Sequence, residues 1–113
     1  MYTSLDSLYN AICTARELDS PQSKTAKLFR EGIPKMVKKL CEEAVEVGID
    51  ALQGNRNETI LESADLIYQL YVVLAQMGIK PSEVFEEIAR REQLYGIAEK
   101  LPKPQSVKTV AKI

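Results

Sequence analysis

The chain has 113 residues, which is enough for one domain with a hydrophobic core. Hydrophobic residues make up 45% of the chain and charged residues 27%, a composition typical of ordinary globular proteins. The formal net charge of -1 leaves no basic excess for a nucleic-acid backbone, so composition argues against a DNA- or RNA-binding protein.

The N-terminal segment, residues 1–7, has neither a basic start nor a long apolar run. We therefore expect no signal peptide and no membrane anchor, and a cytoplasmic location. Behind the capping pair Thr3 and Ser4, apolar residues recur at helical spacing. This spacing predicts a first helix over residues 5–17, which ends at Asp19, Ser20 and Pro21.

Four further helices are predicted downstream, and no alternating strand pattern is longer than a few residues. A short helix over 23–31 stops at Gly32, and a long one begins near Pro34 and is closed by Gly54. Asn55 and Glu58 have the spacing of a capping box that opens a fourth helix, which stops at Gly78. A fifth helix is predicted over 81–96.

The fourth helix predicts self-association, because between Leu66 and Ala75 only Gln69 is strongly polar. A helix that is apolar almost all round must be covered on all sides, and this stretch is too short to span a bilayer. We therefore expect an all-α bundle of four to five helices, completed by a homodimer or a higher oligomer. The helical domain is expected over residues 1–100 and a basic, flexible tail over 101–113.

Candidate chemistry is restricted by the complete absence of histidine and by the presence of only two cysteines, Cys13 and Cys41. The usual zinc spacings and imidazole-based catalysis are therefore excluded. Both cysteines are expected to be reduced packing residues. Chemistry must rest on carboxylates, lysines, arginines or hydroxyls.

Acidic residues cluster on the third and fourth predicted helices. A turn of about 100° per residue places one group of acids in a single arc that borders the core. The fourth helix carries a second acid pair three residues apart, Glu62 and Asp65, among apolar neighbours. Antiparallel packing of the two helices would bring these acids face to face. The acids of the arc are Glu42, Glu43, Glu46 and Asp50.

A solvated acidic face is the simpler alternative, since Lys38 and Lys39 are spaced for ion pairs with Glu42 and Glu43. Two observations favour a metal site. Like charges one turn apart repel each other, and an unpaired acid in an apolar helix is costly unless a cation offsets its burial. Oxygen ligands select a hard cation such as Mg²⁺, which commonly bridges carboxylates to the phosphates of a nucleotide.

Three segments closely resemble the phosphoribosyl-ATP pyrophosphohydrolase family of histidine biosynthesis, within the all-α pyrophosphohydrolase superfamily that also includes MazG and dimeric dUTPases. The segments are Ser23–Phe29, Lys38–Val47 and Glu62–Tyr68. The resemblance implies Mg²⁺-dependent hydrolysis of phosphoribosyl-ATP to phosphoribosyl-AMP and pyrophosphate. Two alternatives stay open: hydrolysis of other (d)NTPs for nucleotide-pool cleaning, and a non-catalytic helical dimer.

Site residues follow from the same resemblance. The family's two acid pairs map onto the expected Mg²⁺ ligands, and either Glu42 or Glu46 is the expected proton acceptor. Lys27 and Lys39 are expected to contact phosphate, with Arg90 and Arg91 as further candidates. The expected ligands are Glu43, Glu46, Glu62 and Asp65.

Four positions depart from the family pattern without removing a metal ligand. Cys41 replaces a common glycine, and Asp50 stands where a small apolar residue is usual. Lys24 replaces an aromatic residue and Gln69 replaces a histidine. The last two bear on the substrate, because they are expected near its base or ribose.

Overall fold

The computed structural model describes residues 4–96, and within that range the protein consists of helices joined by short turns, without strands. The all-α prediction is therefore confirmed, and the predicted helix ends agree with the structure to within a residue or two. The predicted tail, residues 101–113, lies outside the described residues. The helices are α1 (Ser4–Leu18), α2 (Lys24–Glu31), α3 (Ile33–Leu52), α4 (Arg56–Gln76) and α5 (Pro81–Tyr95).

Two turns set the path of the chain around α2. The Ser23 hydroxyl accepts a hydrogen bond from the backbone N–H of Ala26 at 3.0 Å and so caps the start of α2. Gly32 ends α2 with a φ of +89°, a conformation that side chains rarely adopt, and Pro34 follows in the first turn of α3. Helix α3 can therefore begin immediately after α2.

The predicted capping box at the start of α4 is wrong. The Asn55 side chain makes no capping hydrogen bond there. Instead, the Thr59 hydroxyl donates to the Asn55 carbonyl at 2.8 Å. The backbone at Asn55 has φ of -84° and ψ of 87°, outside the β geometry that usually directs a cap side chain at the helix.

Residues 4–79 form one unit, in which α3 and α4 make the most extensive helix contact. Helix α1 packs on α4, and α2 contacts α1, α3 and α4. Two hydrogen bonds anchor α1 to the end of α4: Tyr9 donates to the Ile79 carbonyl at 2.9 Å and Arg16 to the Ala75 carbonyl at 2.8 Å. The buried apolar residues are Ile12, Ala26, Leu28, Met36, Tyr71, Val72, Leu74 and Ala75.

The second unit begins at Lys80, and its described part is α5 with the residues at its two ends. Glu87 accepts hydrogen bonds from Arg90 and Arg91, and these two guanidinium groups lower the pKa of Glu87 to about 2. None of the helices among the described residues is long and apolar enough to cross a membrane.

Both cysteines are free thiols, as expected, but only one has a packing role. Cys13 is half-buried on α1, whereas Cys41 is exposed on α3. The expectation that Cys41 is a packed residue is therefore wrong. Its position on α3 faces away from the core because the buried residue of that helix, Met36, lies on a different side.

Candidate active site

The contact between α3 and α4 brings three acids together. One carboxylate oxygen from each of Glu43, Glu62 and Asp65 lies within 4.8 Å of the other two. We call these residues the acid cluster. The short turn between α3 and α4 makes the helices antiparallel neighbours, so an acid pair on one helix meets a pair on the other. Three of the four expected ligands therefore converge.

The acid cluster contains a polar atom that a cation would satisfy. One oxygen of Glu43 is buried and has no hydrogen-bond partner among the described residues. A buried, unpartnered acceptor is costly, and three converging carboxylates repel one another. Oxygen-only ligands at this spacing fit a hard divalent cation such as Mg²⁺.

Glu46, the fourth expected ligand, lies beside the acid cluster and interacts with Glu62. The pKa of Glu46 is raised, first because of a hydrogen bond to Glu62 and next because of the negative charge of Glu62. The pKa of Glu62 is also raised, chiefly by a hydrogen bond with Glu43, while its hydrogen bond with Glu46 acts in the opposite direction. These carboxyl groups compete for protons because their charges are held close together without a cation.

The raised pKa values predict that the metal-free protein loses stability as the pH rises from about 4.5 toward neutrality. The folded state holds the protons of Glu46 and Glu62 more tightly than the unfolded state does, so their loss at higher pH disfavours folding. Millimolar Mg²⁺ should reverse this trend. Melting temperatures measured between pH 4.5 and 8, with and without Mg²⁺, check it, and identical curves in both conditions would contradict it.

Glu42, a candidate proton acceptor, points toward lysines. Its carboxylate lies 3.8 Å from the Lys38 ammonium and 3.9 Å from that of Lys39. Under the alternative of a solvated acidic face, Lys39 would pair with Glu43, whereas in the structure Lys39 pairs with Glu42. Both lysines therefore shield Glu42, and Glu43 remains in the acid cluster.

A second acid group shares a member with the first. Oxygens of Asp50, Glu58 and Glu62 also lie within 4.8 Å of one another. Glu58 was not among the predicted site residues, although it lies one helical turn before Glu62 and this spacing could have revealed it. Glu62 therefore stands between two groups of carboxylates.

A cavity of about 520 Å³ opens between α2, α3 and α4. It contains both lysines that were expected to contact phosphate, Lys27 and Lys39, together with Lys24 and Lys35. Lys39 lies one turn from Glu43 on α3, so this side of the cavity is near the acid cluster, although none of the three clustered acids lines it. Its remaining lining residues are Leu28, Glu31, Tyr68 and Gln69.

Two side chains of α4 form the inner wall of this cavity. Gln69 is only 7% exposed, and its Oε1 has no hydrogen-bond partner among the described residues. The hydroxyl of the adjacent Tyr68 lies 2.5 Å from that of Thr25 on α2. The sequence marked Gln69 as the one polar residue of an apolar stretch, and the structure shows that it lines a cavity.

Arg90 and Arg91, the other candidate phosphate contacts, belong to the second unit. Both guanidinium groups bind Glu87, at distances of 2.8 to 3.0 Å. Both contacts lie within α5. The role of Arg90 and Arg91 in substrate binding stays a prediction.

Comparison with known proteins gives a consistent result. A sequence model of the family described as phosphoribosyl-ATP pyrophosphohydrolase matches residues 6–92. A Rhodopseudomonas palustris protein named phosphoribosyl-ATP pyrophosphatase 2 is 55% identical over 111 residues, covering 98% of this chain and 85% of its own length. A protein of the same name from Bradyrhizobium diazoefficiens is 52% identical, covering 91% of this chain and 77% of its own length. Azospirillum brasilense phosphoribosyl-ATP pyrophosphatase is 45% identical, covering 85% and 86%.

Proposed function

Because this chain belongs to the phosphoribosyl-ATP pyrophosphohydrolase family, we propose that it hydrolyses phosphoribosyl-ATP to phosphoribosyl-AMP and pyrophosphate. This reaction is the second step of histidine biosynthesis, and we propose a cytoplasmic location for the protein. The observation that carries the proposal is the convergence of three carboxylates within 4.8 Å of one another, one helical turn along α3 from Lys39 of a lysine-lined cavity. Carboxylates that hold a cation and lysines that hold phosphate are the two requirements of phosphoanhydride hydrolysis.

Mg²⁺ is the proposed cofactor, with Glu43, Glu62 and Asp65 as its central ligands and Glu46 at their edge. Mg²⁺ bound there would supply positive charge to the phosphate oxygens and acidify the attacking water. The buried, unpartnered oxygen of Glu43 supports this assignment.

Glu46 is the proposed proton acceptor for the attacking water. It is exposed, lies beside the acid cluster and does not belong to its three converging carboxylates. Glu42 is the weaker candidate because two lysines occupy its carboxylate. Lys27 and Lys39 line the cavity, and their ammonium groups are the proposed contacts for phosphate oxygens.

A homodimer is proposed as the assembly. Apolar side chains remain exposed at helical spacing on both α3 and α4. Helix α4 is the one that the sequence predicted to lie at the centre of a dimer. We call these exposed side chains the apolar face. Its members are Val45, Ile49 and Leu52 on α3, and Ile60, Ile67 and Leu70 on α4. At about 100° per residue, these positions lie on roughly the opposite side of each helix from the acids, so a second copy bound there leaves the acid cluster accessible.

Pyrophosphate release tests the proposed reaction. The purified protein is expected to release pyrophosphate from phosphoribosyl-ATP when Mg²⁺ is present and to stop when EDTA removes the metal. The same assay is run with a panel of NTPs and dNTPs. Glu46→Gln, which keeps the shape of the side chain and removes its charge, is expected to lose most of the activity.

The outcomes separate the alternatives. Turnover of phosphoribosyl-ATP alone supports the histidine-pathway reaction. Turnover of other nucleotides instead would keep the carboxylate site and assign the protein to nucleotide-pool cleaning. A folded protein that cleaves none of them would overturn the proposal in favour of a non-catalytic binding protein.

A further inference from the structure

The lysine-lined cavity carries a net positive charge. It contains four lysines and one glutamate, Glu31, which lies 3.9 Å from Lys27. Among the described residues, Lys24 and Lys35 have no ion-pair partner. Uncompensated ammonium groups around one cavity favour an anionic ligand.

The position of the cavity relative to the acid cluster shows which part of a ligand would reach it. Lys39 is one helical turn from Glu43 on α3, and Lys35 is one turn further away. With a rise of 1.5 Å per residue, Lys35 lies about 12 Å along α3 from Glu43. A nucleotide whose phosphates are held at the acid cluster would therefore place its base, or a group beyond the base, near Lys35.

The inner wall of the cavity suits a sugar better than a second row of charges. The unpartnered Oε1 of Gln69 is an acceptor that a hydroxyl group can satisfy. Leu28 and the ring of Tyr68 offer apolar surface. Lysines at the rim and one buried amide inside form a site for a phosphorylated sugar.

We propose that this cavity binds the phosphate that lies outside the triphosphate chain of the substrate, the 5-phosphate of the phosphoribosyl group carried by the adenine ring, through Lys24 and Lys35, with Gln69 contacting the ribose of that group. This assignment rests on the proposed function, because it takes phosphoribosyl-ATP as the substrate. It makes Lys24 and Lys35 specificity-determining residues. They distinguish phosphoribosyl-ATP from ATP, which shares the triphosphate and adenosine but lacks the phosphoribosyl arm.

Product binding provides the test, because phosphoribosyl-AMP and AMP differ only in the phosphoribosyl arm. Dissociation constants of both nucleotides are measured by calorimetry in the presence of Mg²⁺. Wild-type protein is expected to bind phosphoribosyl-AMP at least about ten-fold more tightly than AMP. Lys35→Met should weaken phosphoribosyl-AMP binding about ten-fold and change AMP binding less than about two-fold, since only one of them presents a charge to that lysine.

Lys38→Met is the matched control, because Lys38 is an exposed lysine of the same helix that does not line the cavity. It should leave the ratio of the two dissociation constants unchanged. Lys24→Met on α2 provides a second variant, with an effect in the same direction as Lys35→Met, and thermal melting verifies that each protein is folded. If Lys35→Met does not fold, Lys24→Met decides the proposal.

Two results would overturn the assignment. Equal weakening of AMP and phosphoribosyl-AMP would show that these lysines hold the phosphate common to both nucleotides. No weakening of either, or equal affinities in the wild type, would show that the cavity does not hold the arm. Failure of the proposed function is seen separately, as the absence of pyrophosphate release from phosphoribosyl-ATP by the wild type, because binding of the products requires no turnover.

Discussion

Glu62→Gln is expected to reduce pyrophosphate release by about 10² to 10³-fold and, in the absence of metal, to raise the melting temperature. Glu62 belongs to both acid groups, so its negative charge would contribute most to the binding of a cation. The same charge destabilises the metal-free protein most, because no cation offsets it. The pKa of Glu62 is raised, chiefly by a hydrogen bond with Glu43 and by burial, and the negative charges of Glu43 and Asp65 raise it further. Steady-state kinetics and melting curves at pH 7 measure the two effects.

Glu17→Gln is the matched control for this prediction. Glu17 is an exposed glutamate on α1, outside both acid groups, so the same chemical change there should alter neither activity nor stability. Opposite signs for activity and stability distinguish a functional acid from a structural one. A Glu62→Gln protein that is less stable than the wild type without metal, and equally active with it, would contradict the assignment.

The helices and the acid cluster could be predicted from the sequence because both depend on local spacing. Two acids three residues apart on one helix lie on the same face of that helix, so such acids on neighbouring antiparallel helices can face each other. Gly32 and Pro34 mark where α2 ends and α3 begins. The structure accordingly brings together Glu43, Glu62 and Asp65 as the spacing indicated.

Details that depend on side-chain direction could not be predicted in the same way. The Asn55 side chain makes no capping hydrogen bond because the backbone there lies outside the β geometry of a usual cap residue, and the sequence does not reveal these backbone angles. Lys39 has two acids within reach, and only the rotamers decide that it contacts Glu42. The family resemblance led us to expect Gln69 near the base or ribose of the substrate, but its burial at a cavity lined by α2, α3 and α4 depends on packing that the sequence does not show.

The apolar face of α3 and α4 is the basis of a prediction about the oligomeric state of the protein. Leu52 is 89% exposed and Val45 60%, although burial of such side chains is worth about 1.5 to 3 kcal/mol each. On α4, Ile67 and Leu70 remain 39% and 38% exposed on the helix predicted to be central. A monomer would present these apolar side chains to water, whereas a second copy related by two-fold symmetry would cover them.

Ile67→Glu is therefore expected to convert the dimer to a monomer. Two-fold symmetry places the new carboxylate in the interface twice, and burying unpaired charges should weaken association by about 10³-fold, or about 4 kcal/mol. Sedimentation velocity at micromolar concentration measures the change. Leu18→Glu is the control, because Leu18 is 74% exposed at the end of α1 and outside the apolar face, so this variant should remain dimeric. An Ile67→Glu protein that stays dimeric, or a wild type that is already monomeric, would show that the apolar face of α3 and α4 is not where the copies meet.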